Sequence, residues 1–139
     1  MTSGRKLGAG QIGRLGDLLR PGDTILVSTG AGEPRTLIRD LVEIAPECGG
    51  LTAIQVMTGG AEDLADASGS GFRLKTPMPG VRARRAIAEG RAEVLFLSMG
   101  QLGRWIADGR LRVDGVLVGA GLWQGAPTFG MAVDVMPLA

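Results

Sequence analysis

Hydrophobic positions in this chain follow two periods in turn. Ile25, Leu26 and Val27 form a short aliphatic run, the pattern of a strand covered on both faces. Gly30, Ala31 and Gly32 stop it. Pro34 then stands where a helix starts, because its fixed φ and missing N–H are harmless at the first helical position. Leu37, Ile38, Leu41 and Val42 recur at helical spacing and give that helix one apolar stripe. The same alternation continues down the chain. Further strands are predicted at 51–57, 92–98, 114–118 and 131–135, and helices at 81–89 and 101–108, closed by Gly90 and Gly109. Trp105 reads as a core residue of the second of these helices. Ahead of the first strand, Ile12, Leu15 and Leu19 mark a short amphipathic helix ended by the turn Arg20-Pro21-Gly22-Asp23. Residues 58–80 hold no sustained period beyond one helical turn at 61–67. Their Phe72, Leu74 and Met78 predict a long loop docked on the domain. Residues 122–130, with Trp123 and Pro127, read as a second loop.

Strands that alternate with helices predict one α/β domain over 1–139, a single open and mainly parallel sheet with helices on both faces. No internal repeat or linker interrupts it. Open parallel sheets bind ligands outside the carboxyl ends of their strands. Four turns gather on that rim: Gly30, Ala31, Gly32, Glu33 and Pro34; Thr58, Gly59 and Gly60; Ser98 and Met99; Gly119 and Gly121. In the first turn, backbone N–H groups at a helix start can face an anion or a polarised carbonyl. Glu33 in that position reads as a helix-terminus charge that shapes the turn rather than as a nucleophile.

Composition narrows the chemistry. The chain has 15 basic and 14 acidic residues, a net charge of +1 that offers no basic face to nucleic acid. Arg82, Arg84 and Arg85 cluster at helical spacing and read as a solvated face. The absence of histidine removes Ser-His-Asp chemistry and most zinc sites, so no metal site is predicted. Cys48 is the single cysteine, which excludes a disulfide framework and leaves a bystander thiol. No apolar run reaches membrane length and the start lacks a signal-peptide core, a pattern pointing to the cytoplasm and away from the membrane. The stretch GAGQIG at 8–13 fits a dinucleotide fingerprint in spelling only, since no strand precedes it. The glycines at 30 and 32 do follow a strand, but Arg35 holds the third glycine's place.

With those turns laid out, the chain resembles the N-terminal domain of the acetyl-CoA hydrolase/transferase family, class I enzymes that include the 4-hydroxybutyrate and acetate CoA-transferases. The resemblance rests on LRPGDTILVSTGAGEP at 19–34, PGVRARRAIAEGRAEVLFLS at 79–98 and LRVDGVLV at 111–118. It implies a Rossmann-type domain that works beside a second, similar one. It also implies a reaction that moves coenzyme A, as a substrate and not a permanently bound cofactor, between carboxylic acids. In that family a glutamate of the C-terminal domain attacks the thioester, which is covalent catalysis by a carboxylate. The implied nucleophile therefore lies outside this chain, on a partner that makes a hetero-oligomer. Two positions depart from the family pattern. GAGLWQG at 119–125 replaces an S-P-P-D-like run, and Met99 stands where an acidic residue is usual.

The implied roles are an oxyanion or substrate loop at Gly30, Ala31, Gly32 and Glu33. Pro34, Thr58, Gly59, Gly60, Phe72, Met78, Ser98, Met99, Gly119 and Gly121 are the implied substrate-binding residues, with 58–60 and 119–121 lining the acyl pocket and the 70–80 loop covering it. Three functions stay open on these residues: a CoA-transferase subunit, the same scaffold turned to acyl-CoA hydrolysis or decarboxylation, and a non-catalytic small-molecule-binding or assembly subunit.

Overall fold

A computed structural model describes residues 15–57, 64–130 and 135–138. Five parallel strands form its sheet: β1 (Thr24–Val27), β2 (Leu51–Gln55), β3 (Phe72–Thr76), β4 (Ala92–Val94) and β5 (Gly115–Leu117), in the order β4-β3-β2-β1-β5. The helices α1 (Arg35–Ile44), α2 (Leu64–Ala67), α3 (Val81–Ala88) and α4 (Met99–Ala107) connect successive strands. Successive strand side chains point to opposite faces, so one sheet feeds two cores. Ile25 and Val27 join Ala53, Leu74 and Leu117 beneath Ile38 and Leu41 of α1, Leu64 of α2, and Ala83 and Ala86 of α3. Leu26, Ile54 and Val56 join Leu102 and Ile106 of α4 and Met136 of a closing 3-10 turn, Met136–Leu138.

This division follows from chirality. Crossovers between parallel strands are right-handed, so three that step the same way, from β1 to β4, put α1, α2 and α3 on one face. The next connection returns across the sheet to β5, and the same rule sends α4 to the other face. The reversal leaves β1 between β2 and β5. It makes the gap between β1 and β5 the topological switch point, the usual ligand crevice of an open sheet.

The structure corrects the reading of residues 58–80. Its described part holds α2 and then β3, whose FRLKT sequence buries Phe72, Leu74 and Thr76 while Arg73 and Lys75 face outward. Phe72, 4% exposed, is a core residue at the amino end of β3, and Leu74 is fully buried, so neither belongs to a covering loop and Phe72 is no substrate-binding residue at the rim. Gly71 sets the entry to β3. Its φ of +91° needs glycine, and a Cβ there would sit 2.2 Å from the Ala45 carbonyl oxygen. Trp105, expected in the core, is 38% exposed, because Leu102 and Ile106 take the inward face of α4. Residues 122–130, expected as a loop, contribute to an antiparallel hairpin of β6 (Gly121–Trp123) and β7 (Ala126–Thr128). Gln124 and Gly125, both at positive φ, turn it, and Leu122 and Trp123 stand exposed along it. Residues 8–14 and 131–134 of the last predicted strand lie outside the described residues, and the described part of the predicted first helix is a turn, Leu18 N donating to Leu15 O at 3.0 Å, rather than a helix. The arginine cluster is a solvated face as expected: Arg82 pairs with Asp66, and Arg85 with Glu89.

The amino ends of β1 and β5 are clamped reciprocally. Asp114 N donates to Thr24 O at 2.8 Å, and Thr24 N donates to Asp114 Oδ2 at 2.9 Å. Burial works against the Asp114 charge, but the Thr24 N–H and the Arg112 guanidinium outweigh it and hold its carboxyl below the ordinary value. A carboxyl depressed on folding stabilises the fold above its unfolded pKa of about 3.9, and that contribution is lost as pH falls through the folded value. Asp114→Asn should lower stability at neutral pH by about 1 kcal/mol, the net worth of a hydrogen bond. It should also flatten the decline below about pH 4, as read from urea midpoints across the acid range. Gly71→Ala should be far more damaging, costing about 3 kcal/mol or more from strain and overpacking together, measured in the same titration.

Candidate functional site at the carboxyl rim

The rim is built from the ends of β1 and β5. Beyond β1, Ser28 N donates to Leu117 O at 2.9 Å and extends the ladder by one bond. A 3-10 turn follows, Gly30–Gly32, in which Gly32 N donates to Thr29 O and Glu33 N to Gly30 O, each at 3.2 Å. Gly30 has φ +60°, which explains a glycine there. Pro34 is the residue before α1, and the first bond across the helix start is Ile38 N to Pro34 O at 2.9 Å. From the other side of the switch point, Gly119 N donates to Gly32 O at 2.7 Å. A Cβ on Gly119 would stand 3.1 Å from that oxygen, so the two turns touch backbone to backbone.

The predicted residues divide accordingly. Gly30 and Ala31 are exposed, Gly32 and Pro34 are buried, and Glu33 is half-buried with its Oε1 out of solvent. Of these five, Gly32 and Glu33 lie against Gly119 at the switch point. Gly121 opens the hairpin and is exposed, with open space around it. Met78 bridges Met57 at the ends of β3 and β2, and both are about half exposed. Ser98 caps α4 in a closed box: its Oγ accepts from Gln101 N at 3.3 Å, and its N donates to Gln101 Oε1 at 2.8 Å. Met99 packs on the second core. β3 and β4 lie two and three strands from β1, roughly 10 and 14 Å at about 4.8 Å per strand, so these residues share the rim but not the crevice. Phe72 is at the opposite end of the sheet. Thr58, Gly59 and Gly60 lie outside the described residues.

Sequence reasoning missed the buried polar groups at this end: Ser28 and Gln55 at 1% exposure and Thr76 at 0%. Thr76 is satisfied, its Oγ1 donating to Val56 O and accepting from Met78 N, each at 3.2 Å. Gln55 carries a readable signal, an amide set among the apolar residues of AIQVM, where strand parity turns it inward.

Among the described residues no group of His, Cys, Asp or Glu could hold a metal ion, and no helix is long and apolar enough to cross a membrane. The carboxyls with displaced titration sit away from the crevice. Arg91 and Arg85 hold Glu89 below its ordinary value, and Arg73, with Lys75, does the same for Glu93 against a burial that opposes it. An open depression of about 570 Å³ lies over the amino half of β2, β3 and β4, lined by Arg73, Lys75, Arg91 and Glu93 among others. Its cations are already engaged: Arg73 and Lys75 share Glu93, while Arg91 binds Glu89, Ala65 O and Ser68. It is a solvated stretch of sheet.

Fold and rim together define an α/β domain with an open parallel sheet and a glycine-built crevice at its switch point. No protein-family model matches the chain, and no curated protein matches it.

The backbone contact across the crevice can be tested directly. Gly119→Ala should cost about 1–2 kcal/mol, because the new methyl displaces the Gly32 carbonyl. Gly121→Ala, with open space around it, should stay within about 0.5 kcal/mol of the parent. Urea unfolding of the two variants measures the contrast.

Proposed function

We propose that this chain is a subunit of a CoA-transferase-type enzyme acting on acyl-CoA and carboxylate substrates. The observation that carries the reading is the Gly30–Gly32 turn, set at the switch point of a parallel sheet and followed at once by Glu33, Pro34 and a helix. That turn, paired with the stretch at 84–92, is where the sequence resembles the acetyl-CoA hydrolase/transferase family. In this reading a partner chain supplies the nucleophilic glutamate. Its carboxylate attacks the thioester carbonyl, CoA leaves as thiolate, and the anhydride formed is then opened by that thiolate to release the first acid. This chain's part is electrostatic. The turn commits Gly32 N and Glu33 N to Thr29 O and Gly30 O, so the amides of Gly30 and Ala31 are the ones left to face the oxygen on which charge develops, and such donors cost no reorganisation at the moment of reaction. Met78 and Met57 supply adaptable apolar surface along the rim for the acyl group.

Hydrolysis or decarboxylation on the same scaffold is the second reading. It is favoured by Met99, an apolar residue at the α4 start, and by the exposed Leu122 and Trp123 of the hairpin, where the family pattern is polar.

The purified chain alone should leave acyl-CoA esters intact, whereas a complex with a glutamate-bearing partner should exchange CoA between acids. Thioester absorbance and isotope exchange measure both. In that complex Gly32→Val, whose side chain would displace the turn presenting those donors, should lower kcat about 100-fold, the scale of one lost oxyanion donor. Gly32 is outside the left-handed region, so backbone strain adds nothing to the effect. Turnover by the chain alone that Glu33→Gln abolishes would move the nucleophile into this chain.

A further inference from the structure

Val94, Leu95, Phe96 and Leu97 follow one another without a break, the run expected of a strand in the interior of a parallel sheet. The fold puts this run at an edge instead. β4 has β3 on one side and no described strand on the other. Val94, Leu95 and Leu97 are only half-buried, and Phe96 is 92% exposed. Leu95 and Leu97 pack against the second core, whereas Phe96 joins neither core.

The backbone at this edge is open as well. Val94 is in register with Thr76 of β3, and Leu95 N donates to Thr76 O at 2.9 Å. In a parallel ladder, residues bonded to the neighbouring strand alternate with residues that point away from it. Glu93 and Leu95 therefore face β3, while Ala92 and Val94 direct their N–H and C=O outward. Edges that stay solitary are guarded by lysine or proline, and neither stands in 92–97. The one charge there, Glu93, is already paired with Arg73 and Lys75 of β3.

We propose that the β4 edge pairs with the β4 edge of a second copy of this chain, antiparallel about a two-fold axis, joining the two sheets into one. Such a pair closes on itself, whereas β4 added to the opposite edge of another copy would run on as a filament. Charge selects the register. With Ala92 opposite Val94, the two Glu93 carboxylates would meet directly, and like charges in that position destabilise. With Val94 opposite Val94, Glu93 meets Leu95 and Phe96 lies across from Ala92, a large side chain against a small one. Pairing here leaves the crevice open, since β1 and β5 stand toward the other end of the sheet.

Light scattering of the full chain should show a dimer at about 100 μM, a concentration at which a micromolar dissociation constant fills it. Hydrogen exchange should protect the Val94 amide in the dimer and release it on dilution. Phe96→Lys changes an exposed side chain, so it should leave the urea midpoint in place and weaken dimerisation about tenfold or more. Val94→Pro removes an outward N–H that β3 does not use, and it should leave only monomer. A parent chain that is monomeric at that concentration would overturn the pairing. So would a dimer whose Val94 amide exchanges as fast as in the diluted chain, or a dimer that Phe96→Lys does not weaken.

Discussion

The backbone hydrogen bond from Gly119 to Gly32 joins the two described turns that border the switch point, and the shape of the crevice depends on it. Hydrogen bonds in the ladder end with Ser28, after which β1 and β5 would be free to splay. A donor at 2.7 Å with no side chain on either partner holds them at backbone contact. That closeness orients the 3-10 turn, and the turn in turn fixes where α1 starts. A crevice built this way is made of peptide groups rather than side chains, which suits it to stabilise charge on a ligand oxygen.

Burial on both faces gives β1 its authority over the rest. Ile25 and Val27 anchor one core and Leu26 the other, so β1 cannot shift by one residue without exchanging the two sets. The reciprocal clamp between Thr24 and Asp114 fixes the register of β5 at the amino end, as the Gly119 bond does at the carboxyl end. The register of the rim is therefore set from both ends of the same strand pair.

Where both faces are covered, the sequence is explicit: β1, β2 and α1 were all legible as apolar runs or stripes. β3 was not, because only one of its faces is covered by a helix. Arg73 and Lys75 break the run, and with glycines at 69 and 71 beside it the segment looked like a loop. The same cause hid the status of Phe72, whose neighbours suggested docking and whose register places it in the core. At the rim, the glycine turn and Pro34 announced themselves by composition. The contact of Gly119 with Gly32 could not, since it depends on the chain reversing direction after β4. Trp105 was misread because a stripe of Leu102, Trp105 and Ile106 does not say which of three large residues the sheet has room for.

The hairpin of β6 and β7 stands in a different relation to the domain. Its strands pair with each other, none of its residues enters either core, and Leu122 and Trp123 remain in solvent. A two-stranded ribbon has little independent stability in water. It therefore opens and closes as a local unit, while β1, β2 and β3 open only when the whole domain unfolds. Among the described residues, that difference would grade amide exchange along the chain, faster in the ribbon and slower in β1 and β2. A protease meets its first extended substrate next to the crevice and not in the core.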